Sequence, residues 1–303
     1  MKLESTDAFV VRDFADAPAA GVVRRARKIL QSSAGDLARS ATYTFAVHEL
    51  ERSGASAGVN AEGDAVGPAL EAAMAELEPL AESGALHLYP GKGVGVDELA
   101  PLLGAADTGP LAGSERALVA GVVAAASWAV GGSLAGKRVA IEETAASPAP
   151  GGLSSAVTDA GGELVEVADL DTKPWMIWGA DADVILAGSK PGALTHQGAD
   201  HVRAGALVPW GPIPFTTKAV ATLLRRDDVV VVPDFVSAGG SLVAGYLPGD
   251  EGAVLAEIVD RVVQILAEVG RHDDGPLLGA CYRAEAFMAG WQPALPFGRP
   301  LAA

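Results

Sequence analysis

From residue 138 onward the chain repeats one rhythm, and few folds obey it. Apolar runs of strand length fall at 138–142, 163–167, 183–187, 206–209 and 229–233. Helix-length segments at 152–160, 195–203 and 216–225 separate most of them. Strand, helix, strand at this spacing requires parallel β-α-β units with right-handed crossovers. The run Val229-Val230-Val231-Val232 has no polar alternation, which suits a strand covered on both faces. The spacing predicts an α/β chain with a doubly wound, Rossmann-like parallel sheet of at least five strands over residues 112–270. A long helix at Ser114–Val130, stopped by Gly131-Gly132, should lead into it. Helices at 251–269 and 276–289 should close the chain.

Residues 1–111 read as a smaller N-terminal α/β domain for substrate binding or oligomerisation. Residues 271–303 read as a terminal helix and a tail that returns toward that domain. Within the first region the pattern suggests a strand at Ala8–Val11, a basic helix around Gly21–Leu30 and a helix from Asp36, as N-cap, to Arg52. The small-residue stretch Gly54–Gly67 reads as loop. A helix at Pro68–Glu82, a strand at Ala85–Tyr89 and a glycine turn at Pro90–Gly95 follow.

Half of the 303 residues are apolar but only 5% are aromatic, so Ala, Val and Leu must build the core. The Ala-rich N-terminal region has little large side-chain volume for an independent core, and a homo-oligomer, at least a dimer, is expected. Lys and Arg number 22 against 38 Asp and Glu, a formal charge of −16. Such a surface repels phosphate backbones and anionic lipids, so neither nucleic acid nor membrane is an expected partner. Acidity also simply keeps an Ala-rich chain in solution. Cys281 is the single cysteine, which rules out an intrachain disulfide and a multi-cysteine metal site and fits a reducing compartment. The apolar run Leu118–Val130 is too short to span a bilayer, and no signal-peptide pattern opens the sequence. The expectation is a soluble, cytoplasmic protein.

Three segments carry a resemblance. Ser133-Leu134-Ala135-Gly136-Lys137-Arg138-Val139-Ala140-Ile141, after its helix, is similar to an "L-x-G-K-x-V-A-I" first Rossmann strand. Trp210-Gly211-Pro212, Thr216-Thr217-Lys218-Ala219 and Val232-Pro233-Asp234-Phe235 resemble "G-A-N-x-P-T-T … V-x-P-D-F". Ala238-Gly239-Gly240 resembles the "N-A-G-G" that follows. Over roughly residues 112–290 the chain thus resembles the Glu/Leu/Phe/Val (amino-acid) dehydrogenases, as a degenerate member. Fainter likenesses lie upstream. Ala41-Thr42-Tyr43-Thr44-Phe45-Ala46 is similar to "M-T-Y-K-N-A", Ala57-Gly58-Val59-Asn60 to the loop leading to "G-G-x-K", and Tyr89–Gly95 to "x-x-P-x-D-V-G-T".

The resemblance implies oxidative deamination with NAD or NADP. That reaction uses one lysine to activate water, a second to fix the substrate carboxylate, and an aspartate to move protons. At the matching positions stand Asp64 or Ala65, Thr44 and Gly93, and Ser237 replaces the asparagine, with one residue deleted. Lys92 reads first as a solvated charge on a glycine turn and second as a substitute for a missing lysine.

The dinucleotide turn is altered as well. A G-x-G-x-x-G loop brings backbone N–H groups and a helix N-terminus to the pyrophosphate. Here the first strand runs into Glu142-Glu143 and then Pro148 and Pro150, with no glycine before Gly151-Gly152. At an effective dielectric near 20, like charges ~5 Å apart repel by roughly 3 kcal/mol. Each proline also removes a donor. Gly151 and Gly152 remain as the start of a helix able to hold a smaller anion. Asp169 stands where a ribose-binding acid would, and equally where an ordinary strand-end turn residue would. No bound cofactor is therefore expected, with NAD or NADP as the alternative.

The remaining candidates gather in an interdomain cleft formed by Tyr43, Lys92, Trp210, Asp234 and Ser237. Trp175, Trp178 and Trp210 all fall near strand ends and would wall such a pocket. His196 and His201, five apart, do not share a helical face, and no metal site is expected. The leading expectation is a protein of the resembled fold, repurposed to bind or transform a small amino-acid- or keto-acid-like metabolite. The alternatives are an NAD(P)-dependent amino-acid dehydrogenase with a rearranged site, and a silent subunit that pairs with an active relative.

Overall fold

A computed structural model of the chain describes residues 1–105, 108–142, 152–168 and 174–301. The N-terminal region contains β1 (Ala8–Arg12), β2 (Ala19–Ala26), α1 (Gln31–Val47), β3 (Ser53–Asn60), α2 (Val66–Glu82), β4 (Leu86–Pro90) and α3 (Ala100–Ala105). Its strands make one sheet in the order β1-β3-β2-β4. β1 runs antiparallel to β3, while β2 is parallel to both β3 and β4.

Two segments differ here from the sequence expectation. The stretch read as a basic helix overlaps β2, and the stretch read as loop overlaps β3, the two inner strands of the sheet. Both rely on small residues for close approach. A Cβ on Gly54 would lie 1.8 Å from the Ala38 carbonyl oxygen, so α1 rests directly on the β3 backbone. Tertiary pairing overrides the weak local preference of such a segment. α1 also begins five residues before Asp36 and ends before Arg52, with Leu30 rather than Asp36 as its N-cap. The opposite face of the sheet is covered by α2 and α3, with Leu70, Met74, Leu77, Leu86, Leu88, Leu99 and Leu102 in one core. That core is more substantial than the composition suggested.

The second region follows the predicted rhythm. α4 (Glu115–Ala129) is capped by Ser114, whose Oγ accepts from the Arg116 N–H. It leads to β5 (Arg138–Glu142), α5 (Gly152–Asp159), β6 (Glu163–Ala168), β7 (Val184–Ala187) and α6 (His196–Ala199). β8 (Ala206–Pro209), α7 (Thr217–Leu223), β9 (Val230–Val231), α8 (Asp234–Ser237) and α9 (Gly240–Val243) come next. α10 (Glu251–Val269) and α11 (Gly275–Ala289) close it. The described strands form a five-stranded, all-parallel sheet in the order β6-β5-β7-β8-β9. The order reverses between β5 and β7, which places the topological switch point between their carboxyl ends.

α10 shows how the helices are held. It buries Val254, Ile258, Val262, Ile265, Leu266 and Val269 along one stripe, each stabilising by about 2 kcal/mol. α11 and the tail reach back to the N-terminal region. Tyr43 Oη donates to Glu285 Oε1 at 3.0 Å, and Arg299 spans both oxygens of Glu285 at 2.7 and 2.9 Å. Arg39 pairs with Asp13 at 2.7 Å and donates to the carbonyls of Phe297 and Gly298.

Candidate interdomain site

Where α1 and the N-terminal sheet face the second region, a cavity of about 140 Å³ remains. Gly21, Val22 and Ala55 form its floor; Leu37, Ser40, Ala41 and Thr44 of α1 form one wall. Leu118, Trp210, Pro212, Asp234, Ser241 and Leu242 close the other side. The walls are largely apolar, with the hydroxyl residues Ser40, Thr44 and Ser241 and one carboxyl group among them. Asp234 is only 3% exposed and sits at the start of α8. Its Oδ2 accepts from the Ile213 N–H at 2.7 Å and from Ser40 Oγ at 3.1 Å. Burial outweighs these hydrogen bonds and raises its pKa to about 6. Ile213 holds a φ of 45°, a left-handed conformation that β-branched residues avoid. The Asp234 carboxylate fixes that strained turn, so the carboxyl and the loop over the cavity are set together.

The other expected residues are placed as follows. Trp210 lines the cavity and donates Nε1–H to the Glu142 carbonyl at 2.9 Å. Tyr43, 2% exposed, points to the far side of α1, edge-on to Phe235 and bonded to Glu285. Its neighbours Ser40 and Thr44 face the cavity instead. Lys92 is exposed on the turn after β4, and its carbonyl accepts the Arg25 N–H at 3.0 Å. Ser237 is fully buried and donates to the Pro209 carbonyl at 2.6 Å, tying α8 to β8. Asp64 and Ala65 lie in an exposed 3-10 turn before α2 and line no part of the cavity. Trp178 is core, packed under α6, and Trp175 is described in its backbone alone. Gly151 and Asp169 lie outside the described residues, as do Glu143, Pro148 and Pro150. Sequence reasoning missed Ser40 as a cavity wall and named Thr44 only as the residue standing where the resembled family has a lysine, although the three- and four-residue spacing from Leu37 is the signal that puts both on one helical face.

A larger cavity, about 720 Å³, opens on the outer side of α4 and α10. Val119, Val123, Trp128, Leu255, Val259 and Val263 line it with little polar surface, and it includes Gly152 at the start of α5. Among the described residues it contains no buried ionisable group to carry chemistry. The Cys281 thiol is buried and pushed up to about 12, which leaves it inert as a nucleophile. Among the described residues no three metal-ligating side chains come together, and His196 and His201 are both exposed. No described helix is long and apolar enough to cross a membrane.

No protein-family model matches the sequence, and a comparison with curated proteins finds no relative. Solved structures do match. The hetero-hexameric glutamate dehydrogenase from Thermus thermophilus, in a Leu-bound form, superposes with a TM-score of 0.76 at 20% identity, covering 95% of this chain and 90% of that one. L-tryptophan dehydrogenase from Nostoc punctiforme gives 0.68 at 18% identity, covering 94% and 92%. Plasmodium falciparum glutamate dehydrogenase gives 0.72 at 12% identity, covering 95% and 80%. The chain has the amino-acid dehydrogenase fold.

In an open α/β sheet of this dehydrogenase fold, a dinucleotide would seat in the crevice at the switch point between β5 and β7. A protein group already spans that crevice. Glu142, the last residue of β5 and 1% exposed, accepts at Oε2 from the backbone N–H groups of Gly188 (2.9 Å) and Ser189 (3.2 Å). Ser189 Oγ donates to its other oxygen. The sequence suggested that this carboxylate would project toward an incoming phosphate. Instead it turns inward and engages two backbone donors of the loop after β7. Just above it, the loops after β7 and β8 touch, since a Cβ on Gly188 would lie 2.3 Å from Gly211 N. The turn between β5 and α5, where a pyrophosphate would meet the backbone, lies outside the described residues.

Proposed function

We propose that this protein keeps the amino-acid dehydrogenase fold but binds or transforms a small amino-acid- or keto-acid-like metabolite in the interdomain cavity without NAD or NADP. The observation that carries this reading is Glu142. Its carboxylate, bonded to Gly188, Ser189 and the Ser189 hydroxyl, takes two backbone donors of the switch point for the protein itself. To bind a dinucleotide the chain would have to break those bonds and expose a buried charge, a cost of several kcal/mol. The cavity supplies the other half of the argument. Its largely apolar lining suits a short side chain, and Asp234, titrating near pH 6, suits a protonated amine or a hydroxyl.

Titration calorimetry with NAD and NADP tests the reading. Dissociation constants at or above about 1 mM, near −4 kcal/mol, are expected. A thermal upshift of several degrees with either dinucleotide below that concentration would favour the alternative, an NAD(P)-dependent amino-acid dehydrogenase with a rearranged site. A silent-subunit reading is favoured by one finding, the hetero-hexameric assembly named for the Thermus thermophilus structure. Co-purification with a catalytically active relative would support it.

A further inference from the structure

The N-terminal sheet carries a guanidinium edge that nothing among the described residues answers. Arg24 lies on β2, and its Nε and Nη2 atoms are buried without a hydrogen-bond partner. These two atoms present parallel N–H groups along one edge of the guanidinium, the edge that receives both oxygens of a carboxylate. An arginine kept for its aliphatic stem alone would send this head to water. Burial lowers the Arg24 pKa, and no neighbouring carboxylate acts against that shift.

The strand sets the direction of the side chain. Val22 lines the cavity, and Arg24, two residues on, shares its face about 7 Å further toward the carboxyl end of β2. A Cβ on Gly91 would meet Arg24 Cγ at 3.0 Å and Val22 Cβ at 3.3 Å, so both side chains rise past that glycine on one side of the sheet. In the β2–β3 ladder Arg24 is opposite Gly58, and Val22 is opposite Ser56. The buried Ser56 Oγ has no partner either. The face of the sheet that carries Val22 therefore also carries two donor groups without a partner among the described residues, next to the residues that line the cavity.

We propose that Arg24 anchors the anionic end of the ligand, taking the carboxylate of a small metabolite whose aliphatic part lies in the cavity beside Val22, Leu37 and Leu242. This rests on the cavity being a metabolite site. Among the described residues this edge of the guanidinium has no partner, and the ligand would supply one.

The probes are 2-aminobutanoate, its uncharged-end analogue 2-aminobutanamide, and inorganic phosphate. Each is titrated into the wild-type protein, Arg24→Gln and Arg24→Lys by calorimetry, while the Trp210 indole resonance reports occupancy of the cavity. The expected result is that 2-aminobutanoate binds the wild type and weakens about tenfold or more in Arg24→Gln, with Arg24→Lys between them, as loss of a charge-assisted fork implies. The amide should bind all three forms equally weakly. The free Arg24→Gln protein should melt at or above the wild-type temperature, because a half-buried cation with no partner among the described residues is removed. Equal binding of acid and amide, or equal binding of the acid by wild type and Arg24→Gln, overturns the Arg24 assignment and leaves the cavity reading standing. So does a fall of several degrees in the melting temperature of free Arg24→Gln, or a preference for phosphate over 2-aminobutanoate. If neither the acid nor the amide moves the Trp210 resonance at millimolar concentration, the cavity reading itself fails.

Discussion

Two buried ionisable groups give the molecule opposite responses to pH. Asp234 titrates near 6 in the fold, against 3.8 for its ordinary value. A raised acid stabilises the fold fully below pH 3.8, and that contribution is lost as pH rises through 6. Above pH 6 the ionised, buried carboxylate costs roughly 3 kcal/mol. Asp234→Asn should therefore gain on the wild type in urea unfolding at pH 7.5 and not at pH 4.5; parallel pH dependences would refute the shift. His48 behaves the other way. Both of its ring nitrogens are buried without partners, and burial, reinforced by Arg261 and Arg283, lowers its pKa to about 3 from 6.5. Its contribution is present above pH 6.5 and lost as pH falls toward 3, an acid sensitivity of roughly 5 kcal/mol. His48→Leu should flatten the stability profile between pH 6.5 and 4, which thermal melts across that range would reveal.

At the scale of elements, glycine contacts decide how closely the layers approach. α1 lies on β3 because Gly54 has no side chain, and Gly54→Ala would drive a methyl group into the Ala38 carbonyl. The variant should lose about 3 kcal/mol or more, visible as an earlier urea midpoint. An unchanged midpoint would mean that α1 does not sit against that strand. The β5–β7 crevice is a second case. Glu142→Ala would strand the N–H groups of Gly188 and Ser189, and is expected to destabilise by about 2 to 4 kcal/mol. Added phosphate should restore part of that loss by occupying the vacated donors. Failure of any anion to do so would count against the crevice as a self-occupied anion site.

For the molecule as a whole, the two sheets are joined through α1, α11 and the tail. The links include Tyr43–Glu285–Arg299, Arg39 with the carbonyls near Phe297, and Arg283 with the Val47 carbonyl. The cavity lies between the layers that these contacts hold together, so its volume depends on the C-terminal segment as much as on its own walls. We expect at least a dimer, since symmetric homo-oligomers are a common state of chains of this size. Light scattering at micromolar concentration should give twice the 30.6 kDa chain mass or more, and a monomer mass would contradict this.

The sequence determined the parallel five-stranded sheet, because uninterrupted apolar runs at regular helix-length spacing have few other ways to bury both faces. It also pointed to Trp210 and Asp234, whose local motifs keep their order along the chain. It did not reveal β2 or β3. Their alanines, glycines and serines carry no hydrophobic period, and only pairing with neighbouring strands and the close approach of α1 make them strands. Tyr43 and Thr44 are adjacent in sequence, yet the rotation of α1 sends one to the core and the other to the cavity. Glu142 read as a charge on a turn, and the loop after β7, 46 residues away, made it an internal ligand. Arg24 read as one of several basic residues on a helix. Only the sheet, by fixing alternate residues to opposite faces and burying one edge of its guanidinium, gave it a direction and left that edge without a partner among the described residues.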